Sequence, residues 1–288
     1  MVRFFTWLNN RLTLQDPIIT YTGAADSGKI PALNAAGVVN ATLVEDLSPV
    51  GSPEGLQLVY TGTGLTFPIN IATGRAVIPG TNRAIAVLSS VLSKQVNSAW
   101  AAGNGVGGKF AGTISANQTW HVFIIRNTTT GAVDAGFDLS VTGANIPSGW
   151  VGRIIGSFMI DGAGTNVRPF VQNGDLFQWT TVVQDFNSVS ATPTSTSNLL
   201  TLTVPSGLSV VAFGRIGTYN TASSSAIYAA SPGITPDAVV FANTANSLMI
   251  GRFEFATNTS AQIRFYAETA ASFGQLFTWG FIHPRGAY

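Results

Sequence analysis

From Val133 to Ser140 the chain alternates residue by residue: Val133, Ala135, Phe137 and Leu139 fall on one face, Asp134, Gly136, Asp138 and Ser140 on the other. A period of two is the side-chain repeat of a β-strand, and a helix with its period of 3.6 cannot present it. The pattern recurs. Phe253 and Phe255 oppose Arg252 and Glu254, Ile263 and Phe265 oppose Gln262 and Arg264, and Leu200, Leu202 and Val204 mark another half-buried strand. Trp120 to Ile125 is apolar on both faces, which predicts a strand in the middle of its sheet. Thr257-Asn258-Thr259-Ser260 predicts a hairpin turn between its two flanking strands. After residue 16 only Ala84 to Val96 competes as a helix, and its Ile85, Val87, Val91 and Val96 argue equally for strand.

From residue 65 to 288, short strands separated by turn clusters give the spacing of an all-β fold, an antiparallel β-sandwich or jelly-roll-like domain. Residues 17–64 are rich in Pro, Gly, Asn and Ala with weak periodicity, as in Ser52-Pro53-Glu54-Gly55 and Thr61-Gly62-Thr63-Gly64, and read as an extended arm. Residues 1–16 form a separate piece. Phe4, Leu8 and Leu12 share a helical stripe with Phe5, which predicts a short N-terminal helix, marginal on its own in water. Phe4, Phe5, Trp7, Leu8 and Leu12 are too apolar for a solvated tail, since burying each contributes about 1.5–3 kcal/mol. They are the expected anchor, docking either onto their own domain or into another protein.

Charged residues make up only 9% of the chain, against roughly 25% in an ordinary soluble domain. Polarity is carried instead by Ser, Thr, Asn and 31 glycines, groups that can be packed against other subunits without the desolvation cost of an ion. The formal net charge of +1 offers no electrostatic footprint for nucleic acid or an anionic membrane. Mean hydropathy is +0.30, yet no run approaches the roughly 20 apolar residues of a spanning helix. The apolar start ends at Asn9-Asn10-Arg11 after about five residues, shorter than a signal-peptide core, so export by that route is not expected. With no cysteine, disulfides, thiol nucleophiles and thiolate metal sites are excluded.

Catalytic signatures are sparse. Gly103 to Lys109 satisfies G-x-x-x-x-G-K, but Phe110 stands where magnesium binding needs a hydroxyl, and a strand follows where a phosphate loop needs a helix. The segment reads as a flexible glycine loop. Glycoside hydrolysis needs two carboxyl groups within about 5–9.5 Å, whereas Asp134 and Asp138, four residues apart on one strand, are separated by roughly 13 Å. The remaining acids are scattered. His121 and His283 each sit among large apolar residues and read as hydrogen-bonded structural histidines. No enzymatic activity and no cofactor are expected; a calcium site using Asp134, Asp138 or Asp161 is compatible with the composition. Among the tryptophans, Trp100 and Trp150 adjoin glycine-containing loops and are the candidates for stacking on a glycan. Trp120, Trp179 and Trp279 read as core.

Two segments carry a resemblance. Gly28-Lys29-Ile30-Pro31-Ala32-Leu33-Asn34-Ala35-Ala36-Gly37-Val38-Val39-Asn40-Ala41-Thr42-Leu43 resembles a segment common near the N-terminus of tailed-bacteriophage tail fibre and spike proteins. Trp279-Gly280-Phe281-Ile282-His283-Pro284-Arg285-Gly286 is similar to the "GWIDPRG" close of phage structural domains. Between them Trp120–Arg126, Thr130–Asp134 and Arg153–Phe158 follow in the order such domains show. The resemblance implies a non-enzymatic virion protein on the surface of tail or head, made in the host cytoplasm, trimeric, and held by its N-terminus to other virion proteins. Two alternatives stay open beside the tail-fibre reading: a receptor-binding module for a bacterial surface glycan, and a capsid decoration or head-fibre protein. A polysaccharide depolymerase is disfavoured.

Overall fold

The structure, a computed structural model, describes residues 4–8, 11–15, 53–60, 62, 64–65, 68–79, 84–188, 199–220, 225–234, 239–243, 245–267 and 273–285. Every regular element among them is a β-strand. In chain order these are β1 (Phe4–Leu8), β2 (Arg11–Gln15), β3 (Glu54–Gly55), β4 (Leu58–Val59), β5 (Pro68–Ile71), β6 (Gly74–Ile78) and β7 (Ala84–Leu88). Next come β8 (Leu92–Ala99), β9 (Val106–Lys109), β10 (Thr119–Asn127), β11 (Val133–Asp138), β12 (Trp150–Met159), β13 (Phe170–Asn173) and β14 (Leu176–Ser188). The last are β15 (Leu199–Thr201), β16 (Val211–Asn220), β17 (Ser225–Ala230), β18 (Val239–Asn243), β19 (Ser247–Ala256), β20 (Gln262–Ala267) and β21 (Phe273–Ile282). Contacts divide the chain into two compact units, Met1–Gly51 with Val77–Ile85 and Ser52–Ala76 with Ala86–Tyr288.

In the first unit the expected N-terminal helix is not there. β1 and β2 pair antiparallel instead, Phe5 opposite Leu14, Trp7 opposite Leu12 and Leu8 opposite Arg11. The helical stripe of Phe4, Leu8 and Leu12 competes with a period-two pattern in Arg11-Leu12-Thr13-Leu14-Gln15, and the aromatic and threonine content of both strands favours the extended chain. A helix this short has little of its own to set against a ladder of backbone hydrogen bonds.

The second unit contains a seven-stranded sheet in the order β12-β10-β11-β9-β8-β5-β4, a five-stranded sheet β13-β14-β21-β16-β19 and a four-stranded sheet β15-β20-β17-β18. The first is not purely antiparallel, as a simple sandwich reading expected, because β9 runs parallel to both β8 and β11. Two glycines permit that close packing. A Cβ on Gly107 would stand 1.9 Å from the Ala99 carbonyl oxygen, and one on Gly108 would stand 2.5 Å from the Phe137 ring. The stretch read as a flexible glycine loop therefore holds an inner strand.

β10 lies between β12 and β11 and is buried on both faces from Thr119 to Ile125, as its uninterrupted apolar run predicts. Alternation misleads on β11: Asp134 and Asp138, expected on a solvent face, are 3% and 0% exposed. The turn at residues 257–260 is real, with the Asn258 carboxamide oxygen accepting the Ser260 and Gln262 N–H groups. It does not close a hairpin, however. β19 pairs with β16 while β20 pairs with β15 and β17, so the turn carries the chain from one sheet to another. Ala84 to Val96 resolves into β7 and the start of β8.

The seven- and five-stranded sheets meet at Gly156 of β12, where a Cβ would stand 2.9 Å from Leu58 and 3.0 Å from Phe177. Phe177 stacks on Phe281 at 4.9 Å, and Phe137 meets Phe158 edge-on at 5.2 Å. Leu56, Leu58 and Tyr60, within the stretch expected as an arm, are buried in this unit. The rest of that stretch, including the Gly28–Leu43 motif, lies outside the described residues except for short pieces near its end.

Candidate functional site

Trp100 and Trp150, 50 residues apart, are brought together. Their rings meet edge to face at 5.4 Å, and Phe110 adds a third ring 6.1 Å from Trp100. Trp100 follows β8 and donates its indole N–H to the Ala135 carbonyl on β11 at 3.0 Å. Trp150 opens β12 opposite Asn127. Both indoles are half-buried, so the cluster is part wall and part surface. The loops beside it are internally braced. Asn127 accepts the Thr129 and Thr130 N–H groups, Thr128 donates to the Gly149 carbonyl, and Asn104 accepts the Ser93 N–H.

Beneath this cluster lies an ion pair that sequence reading missed. Lys94 and Asp134, 0% and 3% exposed, stand 2.6 Å apart. Lys94 Nζ also donates to the Ala101 carbonyl at 2.8 Å and lies 5.6 Å from the Trp100 ring centre. Asp134 accepts the N–H groups of Gly103 at 2.7 Å and Ala135 at 2.6 Å. Burial pulls the lysine below its ordinary pKa, and the Asp134 carboxylate pulls it back up. A buried pair with these extra hydrogen bonds holds the loop after Trp100 to the sheet more than it adds net stability. The alternation of Leu92, Lys94 and Val96 carried a signal, a lysine on an apolar face.

The two histidines form one structure. Ser157 Oγ lies 2.8 Å from His121 Nδ1 and 2.9 Å from His283 Nε2, all three residues at most 1% exposed. The hydroxyl has a single proton, so it donates to one ring and accepts from the other. His283 Nδ1 has no partner. Because an orphaned buried N–H is the costlier defect, the favoured tautomer leaves Nδ1 bare, with His283 Nε2–H donating to Ser157 and Ser157 donating to His121 Nδ1. Burial pushes the His121 pKa down to about 4 despite the nearby Asp138 carboxylate. Burial, then His121 and Arg285, push that of His283 down to about 3. The sequence reading of structural histidines agrees with this arrangement, in which all three side chains are buried and bonded to one another.

Arg285 completes the C-terminal motif. It is 2% exposed and donates to the carbonyls of Ile155 at 2.6 Å, Gly55 at 2.7 Å, Leu56 at 3.1 Å and Gly174 at 3.3 Å. One guanidinium thus ties β12, the start of the second unit and the β13–β14 turn to the end of the chain. Asp138 is likewise consumed by the framework, accepting from the Ser140 and Asn145 N–H groups and the Asn145 carboxamide. Asp161 is a turn residue, accepting the Thr165 and Asn166 N–H groups and the Asn166 carboxamide. Among the described residues no group of three His, Asp or Glu side chains could hold a metal ion.

Of the expected core tryptophans, Trp120 and Trp179 are 1% and 6% exposed, whereas Trp279 is half-buried under Arg252. The anchor residues Phe4, Phe5, Trp7, Leu8 and Leu12 lie on β1 and β2. No described helix is long and apolar enough to cross a membrane.

No protein-family model matches the chain, and no curated protein matches it. Among solved structures, the chain is similar to one described as "Structure of infectious bursal disease virus Gx strain", at 12% identity, covering 82% of this chain and 72% of that one. The TM-score of that likeness is 0.21, too low for it to bear on fold or function.

Proposed function

We propose that this chain is a non-enzymatic structural protein of a bacteriophage particle, displaying its β-rich second unit on the tail or head and held by its N-terminal segment to other virion proteins. One observation carries the reading. The side chains best able to do chemistry, His121, Ser157, His283, Lys94, Asp134 and Arg285, are buried and bonded to the framework. They are used to join strands distant in sequence, the work of a scaffold. The resemblance of Gly28–Leu43 and Trp279–Gly286 to tail fibre and spike proteins supplies the setting. A homotrimer is part of the proposal: a surface poor in ions packs about a threefold axis without stranding charges.

The test is made on particles. Antibody against residues 65–288 should label purified virions of the phage encoding the chain, and deletion of residues 1–16 should abolish labelling while leaving a soluble, folded protein. Absence from particles overturns the reading, and an equilibrium sedimentation mass of one chain, 30.1 kDa, overturns the trimer. The second reading, a module that binds a host-surface glycan, is favoured by the meeting of Trp100 and Trp150 at 5.4 Å. A Trp150→Ala variant that keeps full binding to host cells would refute that role for the pair.

A further inference from the structure

The outer face of the five-stranded sheet carries an arrangement that packing alone does not explain. Arg252 on β19 pairs directly with Arg215 on β16, and Arg215 pairs directly with Phe277 on β21. Phe277 in turn pairs with Gln184 on β14. Four side chains therefore form one row across four strands. Arg252 and Gln184 are exposed, and Arg215 and Phe277 are half-exposed. Side chains directly opposite on neighbouring strands have Cβ atoms only about 4.5–5.5 Å apart, and like charges so placed repel. Yet among the described residues neither guanidinium is paired with a carboxylate. Each lies on an aromatic ring instead, Arg215 4.3 Å from the centre of Phe277 and Arg252 5.2 Å from that of Trp279.

A guanidinium over a ring keeps its charge and its five N–H donors, and arginine takes an oxyanion through two parallel hydrogen bonds. Two such forks on adjacent strands, in a chain with 9% charged residues, make a concentrated pair of cations. The Gln184 carboxamide, at the far end of the row, adds a donor and an acceptor suited to hydroxyl groups. Glu254, two residues from Arg252 on the same face of β19, is exposed.

We propose that the row Arg252, Arg215, Phe277 and Gln184 is a binding site for an acidic saccharide, its carboxylate or phosphate group held by the two arginines and its hydroxyls by Gln184. This site is separate from the Trp100 and Trp150 cluster, and the binding can be measured on purified protein whatever its place in a virion.

The experiment is calorimetry of the full chain with three soluble polymers: polygalacturonate as the carboxylate source, dextran phosphate as the phosphate source, and unmodified dextran. Binding to one or both acidic polymers, and not to dextran, is expected. Arg215→Gln and Arg252→Gln should each weaken it about tenfold or more, the scale of a lost charge-assisted hydrogen bond. Arg215→Lys and Arg252→Lys should weaken it too, because the charge survives and the fork does not. Glu254→Gln, which removes the neighbouring negative charge, should tighten it. Thermal unfolding of each variant confirms that the fold is intact. Failure to bind either acidic polymer overturns the proposal. So does equal binding to duplex DNA, or full binding by the lysine variants, since either result reduces the site to unspecific attraction between charges.

Discussion

Acid should loosen this protein through its two histidines. In the folded chain His121 and His283 titrate near pH 4 and pH 3, whereas in the unfolded chain a histidine titrates near pH 6.5. Between those values the unfolded state binds two protons that the folded state does not, so unfolding is favoured as pH falls. The stability they contribute is fully present above about pH 6.5 and is lost on acidification towards the folded values. Each histidine contributes a slope of about 1.4 kcal/mol per pH unit. Over the roughly 1.5 units from pH 6.5 to pH 5, as that slope builds from half to nearly full, the pair costs about 3 kcal/mol, a large share of the 5–15 kcal/mol that holds a domain together. Asp185, whose carboxyl group burial pushes up, works in the opposite direction and offsets part of the fall at the acid end. The structural cost is specific: a second N–H pointed at Ser157 leaves its hydroxyl proton without an acceptor between two buried rings. Urea unfolding at half-unit steps from pH 7.5 to pH 5 measures the slope directly. In the double variant His121→Asn, His283→Gln, which places amides at the two bonded ring nitrogens without a titrating group, the slope should collapse. Equal slopes in the two proteins, or a flat profile in the parent, would refute the reasoning.

Arg285→Met should destabilise the second unit by about 3–5 kcal/mol in denaturant unfolding, because four carbonyls lose their donor at once; a loss under 1 kcal/mol would show that water replaces the guanidinium. Gly107→Ala meets backbone at 1.9 Å, so it should cost more than the 1–3 kcal/mol of ordinary overpacking and should disturb the amide signals of Ala99 and Lys109; an unchanged midpoint would show that β8 and β9 can part freely. Lys94→Met alone leaves Asp134 buried without its cation and should cost about 3–5 kcal/mol, whereas Lys94→Met with Asp134→Leu should recover much of that; equal losses in single and double variants would mean that the two charges are not coupled.

Period-two alternation determined the secondary structure wherever the two faces of a strand differ, and the apolar run at Trp120 to Ile125 marked the middle strand of its sheet. These are local signals, because a strand's inward and outward positions repeat within a few residues. The same locality explains the misses. Five residues of Phe4–Leu8 fit a helical stripe or a strand equally well, and the choice came from β2 as a pairing partner. The turn at residues 257–260 was legible from its asparagine and serine chemistry, but which strand lies beside β19 depends on β16, whose partner residues come 27 to 45 positions earlier in the chain. Trp100 and Trp150 could be singled out by their glycine neighbours, whereas their meeting required β8, β11 and β12 to be laid side by side. The arginine row was beyond reach for the same reason: alternation places Arg252 on a polar face, but only strand register aligns it with Arg215, Phe277 and Gln184. Sequence by itself determined the β content, the scarcity of charge and the buried fate of both histidines, since each rests on neighbours along the chain. Tertiary structure decided the pairings among polar groups distant in sequence, because a hydrogen bond between His121, Ser157 and His283 is set by which strands become neighbours in space.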